Sequence, residues 1–538
     1  MSGFTPNIAD KDVRVVVGLD FGTTFSGFAY AHTTSPDSVE TNDTWHNRKA
    51  LVKTNTALLY DEKWNVLEWG ASALASKPKI KNGKDAKNNG KPVELFKIHL
   101  GTMDQSQKPP LPLGLDYKRA ITDYLRCMGT VIKDTLNQRW RGLSFHRNVL
   151  KVMTVPAEFD DRAIFIMRTC AYDAGFIDYL NSELLEFTTE HSFLIVDCGG
   201  GTVDLTVRTL KADGKLTEAT ERTGEFCGGS YVDQEFLKYV GKKVGASAVE
   251  MLKQNHYGQL QYLIQGFCSQ VKYEFNDNPK EYKSQDMDLE ELCPAIKQYV
   301  KGTEKLQIEE DEWIIELDYE TVKSFFDPVL AKICALIRKQ LAATRKKCAA
   351  MFVVGGFSSS PYLFKRIKKE FNSQVSAIAS PPHPIAAIMY GAVFYGINKS
   401  VVETRVLKRT YGLELTDTWT SAHPIERKKA SGGVAYFHTM AKRGTEVPVD
   451  KSFLQDVVPF LPSQTSLRLS VYTTSKESVT YCDDPGTEEL GTLVIDLPDP
   501  YTEREVEFTL TFGAHETKVK AYNKVNGKMY TASYKLVL

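Results

Sequence analysis

Through residue 400 the hydrophobic positions alternate between short continuous runs and helical spacings, so this part of the chain reads as α/β. Asp160 to Gly175 predicts a helix. Asp160 caps it, Ile164, Met167 and Ala171 share one face, and Gly175 ends it. A stronger helix follows Ser324, where Phe326, Val329, Leu330, Ile333, Leu336 and Ile337 recur at helical spacing. Pro328 fits it only in the first turn, where a missing N–H leaves no carbonyl unpaired. Next comes Met351-Phe352-Val353-Val354, a predicted buried strand, and then Gly355-Gly356. The basic stretch Lys77 to Lys91 has neither periodicity nor aromatics and reads as a solvated loop, with a docking loop as the alternative. Beyond Ser400 the period shortens to two. Leu467, Leu469 and Val471, then Leu493, Ile495 and Leu497, then Val506, Phe508, Leu510 and Phe512 alternate with polar residues. Asp483-Asp484-Pro485-Gly486 marks a turn and Asn526-Gly527 a hairpin. The pattern divides the chain into an α/β domain, residues 1–400, and an antiparallel β domain, residues 401–538, with no helix after its last strand.

Two apolar strands end in the same chemistry. Val15 to Gly27 reads VVVGLDFGTTFSG, and Phe193 to Asp204 reads FLIVDCGGGTVD. Each is a strand, an Asp, a glycine turn with Thr, and a returning strand. Glycine lets backbone N–H groups approach an anion with no Cβ in the way. This points to Gly22, Thr23 and Thr24 in one turn, and Gly199, Gly200, Gly201 and Thr202 in the other, as phosphate-binding groups. Asp20 and Asp197 repel a bare phosphate. They make sense with a divalent cation between, and Mg²⁺ normally keeps several waters, so both are expected to act through water. The alternative for each Asp is a turn-forming residue, and for each Thr a residue of high strand propensity.

Composition narrows the classes. The chain has 538 residues, enough for two to four domains. Lys+Arg and Asp+Glu both number 67, which argues against a nucleic-acid or anionic-membrane surface. Nine cysteines with no C-x-x-C pair read as reduced thiols. The N-terminus lacks an apolar signal core, and no apolar run approaches the ~20 residues of a membrane helix, so the expected location is cytoplasmic. His99 and His191 have no partners at metal-ligand spacing, and no zinc site is expected. Cys198 in the second turn reads as a buried apolar residue, with a redox switch as its alternative.

These motifs resemble the heat-shock protein 70 family of the actin–hexokinase–heat-shock ATPase superfamily, and in particular its divergent heat-shock 70 kDa protein 12 branch. Gly18 to Gly27 resembles the first phosphate loop and Ile195 to Asp204 the second. Gly228-Gly229 resembles the glycine pair near the nucleotide, and Gly355-Gly356 with Phe357 and Ser358 the adenosine turn. Thr154-Val155-Pro156-Ala157 is similar to a segment carrying the interdomain signalling proline. Lys97, in FKIHLG, stands where the family has its catalytic lysine, which stabilises the transferring phosphate and helps place the attacking water. From the residues alone it reads as a snorkelling surface lysine. Asp197 would order that water and Thr202 would contact the phosphate. Glu190 matches the family's metal-site glutamate. Lys272 resembles a contact to the nucleotide sugar, with an exposed helical lysine as the alternative. The resemblance implies a two-lobed actin-like ATPase domain with duplicated mixed-sheet lobes, followed by a peptide-binding β-sandwich. It implies ATP or ADP and Mg²⁺ as ligands, and unfolded peptides or a specific protein as partners.

The sequence also departs from the family. Glu190 runs directly into the second phosphate strand, without the small-residue helix that crosses between lobes. Ser359 stands where an adenine-stacking Arg is common, and Ser269 replaces an acidic sugar contact. No Asp stands near Pro384, the linker at Val401-Val402 lacks the acidic–leucine run, and the helical lid is missing. Two functions follow: an ATP-binding, heat-shock-70-like protein with weak Mg²⁺-dependent ATPase and a lidless interaction domain, or a pseudo-ATPase that senses nucleotide or acts structurally without turnover.

Overall fold

The computed structural model describes residues 12–534 except 46–47, 50, 75–79, 82–83, 86–89, 102, 105–107, 157–158, 160, 178–181, 186–191, 211–215, 345–347, 382, 399–402, 449–450, 498–499, 501, 503 and 513–516. It is a mixed α/β protein with several sheets and no closed barrel. The described residues fall into two units. The first lies within 1–187, 191–207 and 222–399, and the second within 208–221 and 400–538.

In the first unit, Val15–Phe21 (β1) and Phe25–His32 (β2) form an antiparallel hairpin with Asp20 opposite Gly27. Thr54–Asn55 (β3) pairs with Phe25 and Ser26 at the start of β2. Tyr117–Arg139 (α1) starts at Asp116, whose carboxylate accepts the Lys118 N–H. This satisfies one of the donors left over at a helix start. Val149–Thr154 (β4) lies parallel to β1, and Ser182–Leu185 (β5) parallel to β4. The predicted helix after Asp160 is present as Asp161–Asp173; Asp160 itself lies outside the described residues. The second sheet repeats this order. Phe193–Cys198 (β6) is followed by Val203–Leu210 (β7) and Leu216–Glu218 (β8), and β7 lies between β6 and β8. Ser230–Val244 (α2), Tyr257–Phe267 (α3) and Tyr319–Ala343 (α4) come next. Ala350–Val354 (β9) then lies parallel to β6, and Ala377–Ala379 (β10) parallel to β9. Each sheet therefore places two parallel strands beside the first strand of its glycine hairpin and the returning strand on the other side.

Close packing fixes these hairpins. Ala387–Ile397 (α5) lies on β1, where a Cβ on Gly18 would stand 2.5 Å from the Met389 carbonyl and one on Gly396 2.5 Å from Val16 Cγ1. Helix α4 corrects the position expected for Pro328. Asp318 caps the helix by accepting the Thr321 N–H, so the helix starts before Ser324 and Pro328 lies in its interior. An interior proline costs a helix ~3 kcal/mol. The stripe from Phe326 to Ile337 is buried and outweighs that cost. Strand β9 is only half buried, because Phe352 faces outward at 38% exposure and meets Phe193 edge to face. Part of the expected loop at 77–91 is extended instead: Ile80–Lys81 pairs with Lys84–Asp85, and Lys91–Glu94 pairs with Ala57–Tyr60.

The second unit is antiparallel. Thr404–Val406 (β11), Thr410–Thr418 (β12), Gly433–Ala441 (β13), Glu446–Pro448 (β14) and Lys451–Val457 (β15) precede Ser466–Thr474 (β16), Thr487–Asp496 (β17), Val506–Phe512 (β18), Thr517–Asn523 (β19) and Met529–Tyr534 (β20). Two four-stranded sheets result, β13-β12-β16-β17 and β15-β18-β19-β20. Leu469, Val471 and Ile495 of the first share one core with Phe508, Leu510 and Val519 of the second. Asn526-Gly527 is not a two-residue turn. Asn523 is buried, its side chain accepts the Val525 and Asn526 N–H groups, and it holds a longer loop in which Gly527 has φ +69°. Arg208 and Glu218 form a buried ion pair at 2.9 Å, and Glu218 also accepts the Val406 N–H of β11 at 2.5 Å. No helix among the described residues is long and apolar enough to cross a membrane.

Candidate functional site

The two glycine turns face each other in the first unit. A Cβ on Gly200 would stand 2.0 Å from Thr24 Oγ1, and one on Gly201 2.9 Å from Thr23 Cγ2. Glycine is required here because two backbones approach more closely than side chains permit. Each turn is tied down from behind. The Thr56 hydroxyl donates to the Gly22 carbonyl at 2.9 Å, and the Thr56 N–H donates to the Thr24 carbonyl at 2.8 Å. On the other side, the N–H groups of Gly228, Gly229 and Ser230 donate to the carbonyls of Gly201, Gly199 and Gly200 at 3.2, 3.0 and 2.8 Å. The glycine pair is thus bonded directly to the second turn.

The carboxylates sit at the strand ends. Asp20 accepts Lys53 Nζ at 2.5 Å, both side chains being largely buried. Asp197 is pushed up to about 7 by burial, with Asp204 and Asp20 adding to the shift and Lys53 and Lys97 opposing it. Gly355, at φ +87°, lies against it, and a Cβ there would stand 2.3 Å from Asp197 Oδ1. Thr202 donates its hydroxyl proton to Asp204 at 3.0 Å. Thr23 and Thr202 are nearly buried.

Lys97 is not a surface lysine. It lies on a 3₁₀ turn, Phe96–Leu100, rather than beside a strand. The turn follows Leu95, whose φ of +59° is a strained conformation for a branched residue. Lys97 is 4% exposed and donates to the Phe21 carbonyl at 2.5 Å, one residue from Asp20. Lys272 is likewise neither exposed nor free. It donates to the Gly229 carbonyl and pairs with Asp233, both at 2.6 Å. Burial disfavours its ammonium, but Asp233, Cys268 and Tyr273 outweigh that and hold its pKa above the ordinary lysine value. Lys272 thus reaches the site by anchoring the glycine pair.

At the turn after β9, Gly356 faces open space, Ser358 is buried and donates to the Gly355 carbonyl at 2.6 Å, and Ser359 is exposed. Phe357 is 2% exposed, and its ring lies in the core against Phe326 and beside Lys272. Cys198 is fully buried, and burial and Asp197 raise its thiol well above the usual range. His99 Nε2 lies 2.8 Å from the Pro109 carbonyl. Glu190 and His191 lie outside the described residues. The structure adds four residues to those expected: Lys53, Thr56, Asp204 and Asp233. Asp204 already stood at the end of the second glycine motif; the other three carried no pattern.

A nucleotide fits this arrangement: glycine turns converge from four segments, with two lysines beside three carboxylates. A divalent cation held by Asp20 does not fit, because Lys53 already takes its Oδ2. Among the described residues no group of three or more acidic, His or Cys side chains is placed to hold a metal.

Comparison with known proteins agrees with the motifs. The chain is 23% identical to heat shock 70 kDa protein 12A of Homo sapiens over 622 aligned residues, covering 96% of this chain and 90% of that protein. It is 21% identical to heat shock 70 kDa protein 12B of Homo sapiens with the same coverage. The first alignment is longer than the chain, so that relative carries segments with no counterpart here. A shorter similarity, 27% over 281 residues, covers 48% of this chain and 50% of chaperone protein HscA of Buchnera aphidicola. Residues 188–379 match a family described as a domain of unknown function, DUF8340. The resemblance to the heat-shock protein 70 family, and to its heat-shock 70 kDa protein 12 branch, therefore extends along nearly the whole chain.

Proposed function

We propose that this chain is a nucleotide-binding protein of heat-shock-70 type that holds ATP or ADP between its two glycine turns and hydrolyses ATP slowly. One observation carries the reading: Gly200 meets Thr24 and Gly201 meets Thr23, with Asp20, Lys53 and Lys97 close enough to Asp197 to act on its charge. The Thr23 and Thr24 hydroxyls and the turn N–H groups bind phosphate oxygens. Lys97 neutralises charge on the transferring phosphate, and Asp197, when ionised, orients the attacking water. Turnover is expected to rise with pH, because burial pushes Asp197 up to about 7 and the role requires its carboxylate form. Residues 401–538, whose two sheets share one core, serve as the domain that binds unfolded peptide or a specific protein.

A second reading, a pseudo-ATPase, is favoured by Lys97: its ammonium is committed to the Phe21 carbonyl. ATP calorimetry combined with single-turnover hydrolysis separates the two. The first reading expects binding and a slow burst-free turnover that Lys97→Met and Asp197→Asn abolish. Binding with no turnover supports a nucleotide-sensing pseudo-ATPase, and absence of binding refutes the first reading and leaves only a structural role for the second.

A further inference from the structure

We propose that Lys53 is the resident cation of the phosphate site and makes nucleotide binding largely independent of Mg²⁺. The inference rests on the nucleotide reading above.

The backbone is built to deliver this lysine. Strand β3 pins Thr54 and Asn55 to Ser26 and Phe25, which fixes Lys53 one residue before the pairing begins. Gly27 stands directly across the hairpin from Asp20. A Cβ on Gly27 would lie 2.8 Å from Lys53 Cγ and 2.7 Å from the Val52 carbonyl. The glycine opposite Asp20 therefore leaves the channel through which the lysine stem passes. Thr54 secures the segment by accepting the Ala71 N–H at 3.0 Å. At the end of this path Nζ meets Asp20 Oδ2 at 2.5 Å, with 8% of the lysine side chain exposed and 15% of the aspartate.

A buried ion pair of this kind is hard to break, because removing one partner strands the other's charge in a poorly solvated site. A hydrated Mg²⁺ that needs Asp20 must displace an ammonium whose loss exposes no solvent to replace it. A lysine already beside Asp20 does the electrostatic work instead. It cancels the carboxylate that repels phosphate. Lys97, which bonds to the carbonyl of the residue after Asp20, adds a second positive charge on the same strand end. Lysine is an effective phosphate partner as a point charge.

The test is ATP titration of the full chain in Mg²⁺ and in EDTA, for wild type, Lys53→Met and Lys53→Arg, with near-ultraviolet circular dichroism as the control for folding. Wild type is expected to lose less than about threefold in affinity on removal of Mg²⁺, and Lys53→Met at least about tenfold, with Lys53→Arg resembling wild type. A wild-type loss above about tenfold in EDTA overturns the proposal even if Lys53→Met does not fold. A second arm uses Mn²⁺ alone, followed by water-proton relaxation. Lys53→Met is expected to gain a Mn²⁺ site that wild type lacks, and equal Mn²⁺ binding by both proteins overturns the proposal. If neither protein binds ATP in either buffer, the nucleotide reading fails, and the Mn²⁺ arm still decides whether Lys53 excludes a metal from Asp20.

Discussion

Replacing Asp197 by Asn should make the first unit more stable at pH 8 than the wild type, and more so than at pH 5. The side chain stands at the end of β6, and its pKa is raised from 3.8 to about 7, first by burial and then by Asp204 and Asp20. A carboxyl whose folded-state pKa is raised binds its proton more tightly in the native state. Its contribution to stability is full below about pH 4 and is lost as pH rises through about 7. The gap between 3.8 and about 7 is close to three units. At ~1.4 kcal/mol per unit the ceiling is about 4 kcal/mol. Asp197 retains partial solvent access and two lysines lie near, so roughly 2 kcal/mol is the better figure. Asparagine cannot ionise and escapes the loss. The assay is denaturant unfolding without nucleotide, read by tryptophan fluorescence from pH 5 to 8. Five of the six tryptophans, all but Trp419, lie in the first unit, so the signal reports that unit in a chain whose two units need not unfold together. The advantage of the variant should widen by about 1–2 kcal/mol over that range. A constant offset, or a wild type that gains on the variant as pH rises, would refute the assigned environment of Asp197. Hydrolysis by the wild type should run the other way, rising with pH as Asp197 ionises.

Gly200→Val should weaken ATP binding at least tenfold, about 1.4 kcal/mol, because a Cβ there lands on Thr24 Oγ1 and forces the two turns apart; calorimetry on a variant with unchanged circular dichroism checks it. ATP and GTP should bind within about tenfold of each other, since Ser359 is exposed and short and the Phe357 ring is in the core; competition against a fluorescent nucleotide reads this directly. Tyr257→Phe should speed ADP release several-fold, because the Tyr257 hydroxyl donates to Glu94 at 2.6 Å and joins the segment carrying Lys97 to helix α3; stopped-flow displacement measures it, and an unchanged rate removes that bond from the opening step. Arg208→Met should destabilise the second unit by roughly 3–5 kcal/mol, the usual effect of removing one partner of a buried ion pair; hydrogen exchange of the strand amides in that unit is the probe.

Much of the fold was legible because its signals are local. The glycine hairpins, the stripe of α4 and the alternation in β16, β17 and β18 each lie within one short stretch of chain, where period and turn chemistry speak directly. The start of α4 was misplaced because Pro328 was read as a boundary, while the true signal was the cap at Asp318. The turns of the site were legible for the same local reason, whereas of its cations Lys97 and Lys272 came only through the family resemblance and Lys53 carried no signal. Lys53 meets Asp20 across 33 residues and Lys97 meets Phe21 across 76. Nothing around a lysine announces such a contact. Burial of Lys272 depends on Asp233, a partner 39 residues away, and a helical lysine without a visible partner reads as exposed. Phe357 came into the reading through the resemblance to an adenosine turn, and nothing in the sequence signals that its ring packs around Phe326.

The duplication explains the geometry of the site, and the differences between the copies explain its charge. Asp20 and Asp197 stand near the ends of equivalent strands, each followed by a glycine turn, so their backbones are placed alike. What approaches them differs. At Asp20 the neighbour is β3, whose register brings a side chain long enough to carry a positive charge past Gly27. At Asp197 the neighbour is the turn after β9, where Gly355 has no side chain and brings backbone within reach of the carboxylate. One copy therefore holds a cation, and in the other burial raises the carboxyl's pKa to about 7. A site with two equivalent carboxylates would repel phosphate from both sides. Under the proposed reading, Lys53 neutralises one carboxylate and a raised pKa the other, which lets phosphate enter, and only the second loses its proton as pH rises. If water is activated here, the asymmetry assigns that step to the β6 side and leaves the β1 side to hold phosphate.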